Sequence, residues 1–552
     1  LFGMPVTDVV AGVDPSNPSK FQGRGIRYKD KLYTVHTASI LSENGAPVNV
    51  FFLADHTTLK KYMFEYKESR PSVGIVVIDN YQEIMQDAKE SEKAQTIGQL
   101  ETIIENYMAE GNCLLRRLDR DRFLIVAEER QLRRMIERRF DILDQVRQVS
   151  LSDNVPSTLS IGIGQGASSL QESEQMARQA LEMALGRGGD QVAIKSGSSF
   201  AFYGGTSKGV EKRTKVKTRI MASALSELIG TAENVLIMGH QFADLDCLGS
   251  AVGMYKAVRQ MGKPAAVVLN RQRNLAFPLY NRLAQNGYAD AFVEPDLAID
   301  LIGKKTLLVV VDTHLPHILE SREVYSACKT VAVIDHHRKM VGHIDNAVIF
   351  YHEPYASSAS EMVTELVQYF GDHVKIGKME AEALLSGIML DTKNFVMKTG
   401  VRTFEAAAYL RKQGADTVEV RKLFSNSMDD YQKKTRLVAS AEIYRGCAIA
   451  SGEYSEEIKL IAPQAADELL GINDVMASFV MYEYDGGVSF SARSMGLMNV
   501  QVVMEALGGG GHMTMAGAQL KEIGMEAARQ KLLQAIDQYF EQRPKEKEKQ
   551  RT

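Results

Sequence analysis

Four stretches in the second half of the chain are almost wholly apolar: NVLIMGH (Asn234–His240), PAAVVLN (Pro264–Asn270), TLLVVVD (Thr306–Asp312) and TVAVIDHH (Thr330–His337). Apolar runs that do not alternate with polar residues bury both faces, the habit of strands inside a parallel sheet. Helix-length segments separate them at the spacing of βαβ units. MEAEALLSGIML (Met379–Leu390) predicts a helix that delivers Asp391, and helical patterns continue to about Ser440. Residues before about Arg70 differ. Their short runs alternate apolar and polar around an Asn-Gly turn at Asn44 and Gly45, which suits an antiparallel sheet. Tyr66–Arg70 is a plausible joint, and helix and strand patterns then alternate to about Gly205. GGTSKGVEKRTKVKTR (Gly204–Arg219) is polar and basic and leads into a helix, MASALSELIG (Met221–Gly230). It reads as a solvated linker, or as a helix that transmits strain from the front of the chain. Near Ala441 the last segment opens with strand-like IYRGCAIAS (Ile443–Ser451) and GGVSFSARS (Gly486–Ser494), and the tail EQRPKEKEKQRT is charged.

Composition narrows the class. A chain of 552 residues has room for three or four domains. Hydrophobic content of 45% and charged content of 24% are ordinary for a globular protein. The net charge of -4 gives no global field to draw nucleic acid, which argues against a processive nuclease. Cys113, Cys247, Cys328 and Cys447 are scattered without a CxxC pair, so neither a disulfide framework nor a zinc site is indicated, and a reducing, cytoplasmic setting fits. No apolar run approaches the roughly eighteen residues a membrane span needs.

The chemistry gathers at the ends of the apolar runs. His240, Asp244 and Asp246 follow the first, Asp312 and His314 the third, Asp335, His336 and His337 close the fourth, and Asp391 ends the later helix. Any one Asp at a strand end is more often a helix cap or turn residue. As a set, Asp and His packed at neighbouring strand ends would repel and desolvate without a cation. Ligands of open α/β sheets bind outside the carboxyl ends of the strands, where the predicted sheet puts these residues. Hard oxygen donors mixed with imidazoles suit a divalent ion such as Mn²⁺. There are enough donors for two ions sharing a carboxylate, an arrangement that stabilises both the attacking and the leaving oxygen in phosphoester hydrolysis.

The order H-x-x-x-D-x-D, D, D-H-H, D resembles the DHH phosphoesterase family, most specifically at HQFADLD and DHHR (Asp335–Arg338), and GGGGHMTMAGAQL (Gly508–Leu520) resembles the GGGH motif of the DHH-associated substrate domain. Ser72–Lys195 resembles a GGDEF domain whose signature is lost: RLDRDRF (Arg117–Phe123) carries Asp119 and Arg120 for the two glycines and Arg122 for the catalytic Glu. Tyr33–Tyr62 resembles the last strands of a PAS domain. This layout is similar to that of the GdpP/YybT-type cyclic-di-AMP phosphodiesterases. It implies a multidomain α/β chain: a partial PAS domain (residues 1–67), a degenerate GGDEF domain (68–205), a linker helix (206–233), a parallel-sheet DHH catalytic domain (234–395), a helical connector (396–440) and a smaller α/β DHH-associated substrate-binding domain (441–545). Such proteins are anchored by two N-terminal membrane helices. The chain is therefore expected to be the cytoplasmic part of a longer membrane protein, cut inside or just before the PAS domain.

The resemblance implies roles residue by residue. His240 and Asp244 hold a first metal, Asp246, His336 and Asp391 a second, and Asp312 bridges them, with Mn²⁺ as the ion and two ions per chain. Asp335 is expected to orient a ligand imidazole and His337 to contact phosphate or assist the leaving oxygen. Arg338 and His314 are phosphate-contact candidates, and Gly509, Gly510, Gly511, His512 and Arg493 are substrate-contact candidates. SSASE (Ser357–Glu361) reads either as a helix cap or as a source of N–H groups for phosphate. The substrate implied is cyclic di-AMP, opened to linear pApA, in a homodimer that handles no long nucleic acid. Haem in the PAS segment is raised by the resemblance but unsupported by a segment short of its early strands. A DHH-type oligoribonuclease or pAp phosphatase acting on linear dinucleotides, and a catalytically silent nucleotide sensor, are the competing readings. The GGDEF remnant lacks the room and the carboxylate a cyclase needs.

Overall fold

The computed structural model describes residues 7, 18–28, 30–45, 47–81, 85, 90–149, 156–205, 215–425, 428–455, 457–484, 486–511 and 514–541. The chain divides into two compact units, residues 1–420 and 421–552. No helix among the described residues is long and apolar enough to cross a membrane.

The first unit holds three sheets. In the first, Gly25–Tyr28, Lys31–Leu41 and Pro47–Asp55 pair antiparallel, with the turn expected around Asn44 and Gly45 between the last two. Its buried apolar cluster is small, centred on Phe21 and Val35. The segment that follows is a helix, Thr57–Glu68, so the expected joint at Tyr66 lies inside a helix whose last turn closes at Ser69. In the second sheet the strand order is Leu114–Arg117, Arg122–Glu128, Pro71–Ile78, Leu159–Gln165, Gln191–Ser196, Ser199–Gly204. Pro71–Ile78 lies at its middle, and Val73–Ile78 are all buried. The RLDRDRF segment forms the hairpin between the first two strands of that order. Arg117 fills its turn, donating from Nε to Asp119 O (3.1 Å) and from Nη2 to Arg120 O (2.9 Å).

The third sheet carries the expected metal ligands. Six strands run in the order Phe292–Val293, Ala265–Val268, Asn234–Met238, Thr306–Val311, Thr330–Asp335, Ile349–His352, every neighbouring pair parallel. All six residues of Thr306–Val311 are buried, as a run without alternation requires of a central strand. The register sets Met238 beside Val310 and Val310 beside Val333, so the carboxyl ends of three central strands finish level with one another. Helices Leu245–Gln260, Ala359–Val367 and Lys378–Asp391 pack together beside this sheet. A further helix, Val216–Thr231, precedes it. The rest of the basic linker, residues 206–214, lies outside the described residues.

The second unit is built on a mixed sheet ordered Glu442–Tyr444, Cys447–Gly452, Ala477–Tyr484, Gly487–Ser494, Met515–Lys521, Gly510–Gly511. The run IYRGCAIAS, read from sequence as one strand, is two. The chain reverses at Arg445 (φ 48°) and Gly446 (φ 75°), so Tyr444 pairs with Cys447 in a hairpin. Two successive left-handed residues make the tight turn that joins antiparallel strands. The charged tail, residues 542–552, lies outside the described residues.

Candidate metal centre

Asp312 is the hub. It follows the central strand in a left-handed backbone conformation (φ 58°) and is 2% exposed. Asp and Asn are the side chains that tolerate this conformation best. Its two carboxylate oxygens face different partners. Oδ2 lies 3.4 Å from His240 Nε2, while Oδ1 lies 3.4 Å from His336 Nε2 and 3.6 Å from His337 Nδ1. His336 Nε2 is also 3.1 Å from Asp391 Oδ2 and 3.8 Å from Asp246 Oδ2. His240 Nε2 is 4.0 Å from Asp244 Oδ1. The six residues expected from sequence to bind metal therefore converge, with Asp312 between the two sets.

Local structure holds the donors. His240 gives its Nδ1–H to the Gln241 carbonyl (2.8 Å), which turns Nε2 toward Asp312. Asp244 caps helix Leu245–Gln260 by accepting from the backbone N–H groups of Asp246 and Cys247, so the bland reading of this Asp and the ligand reading hold together. Asp246 is wholly buried and accepts from Ala359 N (2.7 Å) and Ser360 N (2.8 Å). The SSASE segment thus does two jobs. Ser358 caps helix Ala359–Val367, and the free N–H groups of its first turn hold a ligand carboxylate instead of a phosphate. Gly387 lets helix Lys378–Asp391 approach: a Cβ there would lie 2.6 Å from Asp246 Oδ1 and 2.8 Å from Asp246 Cα. Gly387→Ala should displace Asp246 and weaken divalent-metal binding by about tenfold or more, a ligand shift comparable in effect to the loss of its supporting contacts. Unaltered Mn²⁺ affinity in a titration would refute that role for the glycine.

The donor set fits a cation. Asp312 Oδ1 and both ring nitrogens of His336 are buried without a hydrogen-bond partner among the described residues. A buried polar atom left unsatisfied costs about 1–3 kcal/mol, which a coordinated ion would remove. Without an ion the charges compensate one another. Burial alone would lower the His240 and His336 imidazoles, but the close carboxylates of Asp312 and its neighbours outweigh it, raising His240 to about 10 and His336 well above its ordinary value. Burial and the Asp312 charge push Asp244 up to about 6. The two imidazoles therefore carry protons at neutral pH that a metal must displace, while Asp244 is already largely ionised there. Mn²⁺ affinity should rise with pH, first through about 6 as Asp244 ionises and then on toward about 10 as His240 does. Calorimetry in buffers of differing ionisation enthalpy should show proton release on binding; a buffer-independent heat would contradict it.

Two expectations change. Asp335, wholly buried, does not orient a ligand imidazole. Its Oδ1 accepts from His337 Nδ1 (2.8 Å) and its Oδ2 pairs with His314 Nδ1, because the strand end points it away from His336. His314 is not a phosphate contact: it is 1% exposed, and its Nε2 accepts from Met340 N (3.0 Å). Arg338 is exposed and donates from Nη2 to Gly205 O (3.3 Å) at the end of the preceding domain. His337 keeps a half-exposed side chain beside Asp312, with its Nδ1 proton committed to Asp335. His352, which the sequence reading missed, donates from Nε2 to the His337 carbonyl. The short apolar run IFYH that ends in it, which forms the edge strand Ile349–His352, is the signal that would have found it.

In the second unit the glycine run splits by role. A Cβ on Gly509 would lie 2.6 Å from Ala518 Cα, and one on Gly511 (φ 147°) would lie 2.5 Å from Met515 O, so both are demanded by the neighbouring strand. Gly510 faces open space and leaves its backbone approachable. Arg493 is held at Asp467 (Nε to Oδ1, 3.3 Å), and burial lowers its pKa. His512 lies outside the described residues.

Acidic and imidazole donors at the carboxyl edge of a parallel sheet define a metal-dependent phosphoesterase site of the DHH kind. Three family models match the chain: the GGDEF domain of the cyclic-di-AMP phosphodiesterase GdpP-like type over residues 76–202, the N-terminal domain of the DHH family over 234–388, and the DHHA1 domain over 446–542. The chain is 43% identical over 499 residues to the cyclic-di-AMP phosphodiesterase GdpP of Geobacillus thermodenitrificans, covering 89% of this chain and 75% of that one. It is 36% identical over 550 residues to GdpP of Bacillus subtilis, covering 98% and 82%. A solved exopolyphosphatase-related protein from Bacteroides fragilis shares the fold, with a TM-score of 0.51 at 21% identity over 58% of this chain and 96% of that one. The chain belongs to the GdpP-like family of cyclic-di-AMP phosphodiesterases.

Proposed function

We propose that this protein hydrolyses cyclic di-AMP to linear pApA using two Mn²⁺ ions held by His240, Asp244, Asp246, Asp312, His336 and Asp391. The observation that carries the reading is the buried Asp312 carboxylate, whose oxygens face two separate donor sets. Bound there, divalent ions would supply charge neutralisation at the phosphate and a water of lowered pKa. The protein's own residues do the rest. Asp312 and Asp391 fix the ligand imidazoles. Asp335 holds the Nδ1 proton of His337 and helps raise its pKa, so that the imidazolium gives its Nε2 proton to the 3′-oxygen as water bonds to phosphorus and the P–O3′ bond breaks. Gly510, whose backbone is open, and Arg493 would contact the nucleotide. We place the chain, on resemblance to its relatives, in a homodimer on the cytoplasmic side of a membrane, with the front domains regulating turnover and no cyclase activity in the GGDEF remnant. The test is turnover of cyclic di-AMP with Mn²⁺ beside linear pApA and cyclic di-GMP. Conversion of cyclic di-AMP to pApA supports the reading. Cleavage of pApA alone would move the protein to oligonucleotide recycling, and binding without cleavage would make it a sensor.

A further inference from the structure

The turn that follows the DHH motif is held from outside its own domain. Helix Leu170–Gly186 of the GGDEF-like domain ends against it, and the Gly186 carbonyl accepts the Lys339 backbone N–H (2.8 Å). Carbonyls in the last turn of a helix have no partner within the helix, so this one is free to bind across the interface. The neighbouring Arg187 is stacked on Phe202 (4.1 Å), with Nη1 3.8 Å from Met340 Sδ. Gly189 faces Tyr355, with a Cβ there falling 3.0 Å from the Tyr355 hydroxyl. From the anchored turn a hydrogen-bonded line runs inward. Met340 N–H donates to His314 Nε2 (3.0 Å), which fixes the proton on His314 Nδ1 for Asp335 Oδ2, and Asp335 Oδ1 takes the Nδ1 proton of His337 (2.8 Å). His314 and Asp335 are buried, so water does not compete along this line.

We propose that the GGDEF-like domain is a positioning element of the phosphodiesterase site: the contact of Gly186 with Lys339 sets the turn that, through Met340, His314 and Asp335, fixes the tautomer and place of His337. The inference rests on the phosphodiesterase reading, and it gives the degenerate domain a task that needs no nucleotide chemistry. His314 is a positioning residue, since it touches the site only through Asp335.

Two variants of the full chain test it. Gly186→Leu suits a helix better than glycine, but its Cβ would lie 2.9 Å from Lys339 Cβ and drive the turn away. His314→Asn keeps a donor toward Asp335 and removes the acceptor for Met340 N–H. Each should lower kcat on cyclic di-AMP by about tenfold, the scale on which small misplacements act, with KM and Mn²⁺ affinity unchanged. Unchanged kcat in both variants would overturn the proposal. So would a fall in kcat matched by lost Mn²⁺ affinity, which is what a general disturbance of the site would give. If the parent chain leaves cyclic di-AMP intact, the substrate reading has failed by itself. The contact is then judged by hydrolysis of bis(p-nitrophenyl) phosphate, and by the ¹⁵N signal of His337, which should shift in Gly186→Leu; a constant signal would overturn it.

Discussion

Asp312→Asn should leave the chain folded and nearly inactive. Asparagine matches aspartate in volume and tolerates the left-handed conformation at this position (φ 58°), so neither packing nor backbone objects to it. What goes is the charge that faces His240 on one side and His336 on the other. Losing about 4 kcal/mol of the stabilisation that bound metal gives a phosphoryl transition state corresponds to roughly a thousandfold in rate. The variant also separates metal loss from unfolding. Ligand binding raises the melting temperature of the parent by mass action, so Mn²⁺ should stabilise the parent and leave Asp312→Asn unmoved. A variant that still melts higher with Mn²⁺ and retains a tenth of its turnover would remove Asp312 from the centre of the site.

Asp312 also shows why this site could be read in the sequence. Parallel strands are the most legible elements of the chain, because burial on both faces leaves an unbroken apolar run. The residue that ends the run then falls at the edge where ligands bind. Thr306–Val311 and Thr330–Asp335 follow this rule, and the residues that come next, Asp312 and His336, converge. Directions that depend on one turn were not legible. Spacing alone did not tell whether Asp335 faces His336 or His337; that is decided by the buried His314, which claims its other oxygen. The reversal at Arg445 and Gly446 was hidden because the flanking residues read equally well as one continuous strand. The union of the GGDEF-like helix end with the DHH turn joins Gly186 to Lys339, and no local pattern records a contact between a backbone carbonyl and a backbone N–H so far apart in sequence. Glycine runs mislead for a related reason: Gly509 and Gly511 answer to a neighbouring strand and Gly510 to open space, although the three look alike in sequence.

The largest effect on stability should come from Arg402, which is not among the expected ligands. It is 5% exposed and donates from Nε to Glu365 Oε1 (2.8 Å), with Nη2 on the second oxygen of the same carboxylate. Glu365 is 1% exposed and also accepts from Thr218 Oγ1 (3.2 Å), whose hydroxyl is 2.8 Å from the Tyr351 hydroxyl. Thr218 belongs to helix Val216–Thr231, Glu365 to helix Ala359–Val367 and Tyr351 to strand Ile349–His352, so the Thr218 hydroxyl ties the linker helix both to the catalytic sheet and to the buried Arg402–Glu365 pair. Arg402→Met fills similar space but leaves the buried Glu365 charge with Lys215 Nζ, 3.9 Å away, as its remaining counter-charge; breaking a buried pair from one side costs about 3–5 kcal/mol, and Lys215 holds the loss toward the lower figure. Replacing both partners with apolar residues is often near neutral. The double variant Arg402→Met/Glu365→Met should therefore recover most of what the single variant loses. A chain of several domains does not unfold as one unit, so amide exchange in the two helices is the measure to use. The single variant should exchange faster there and the double variant close to the parent rate. Parent-like protection in Arg402→Met would mean that packing alone, without the ion pair, holds the linker helix in place.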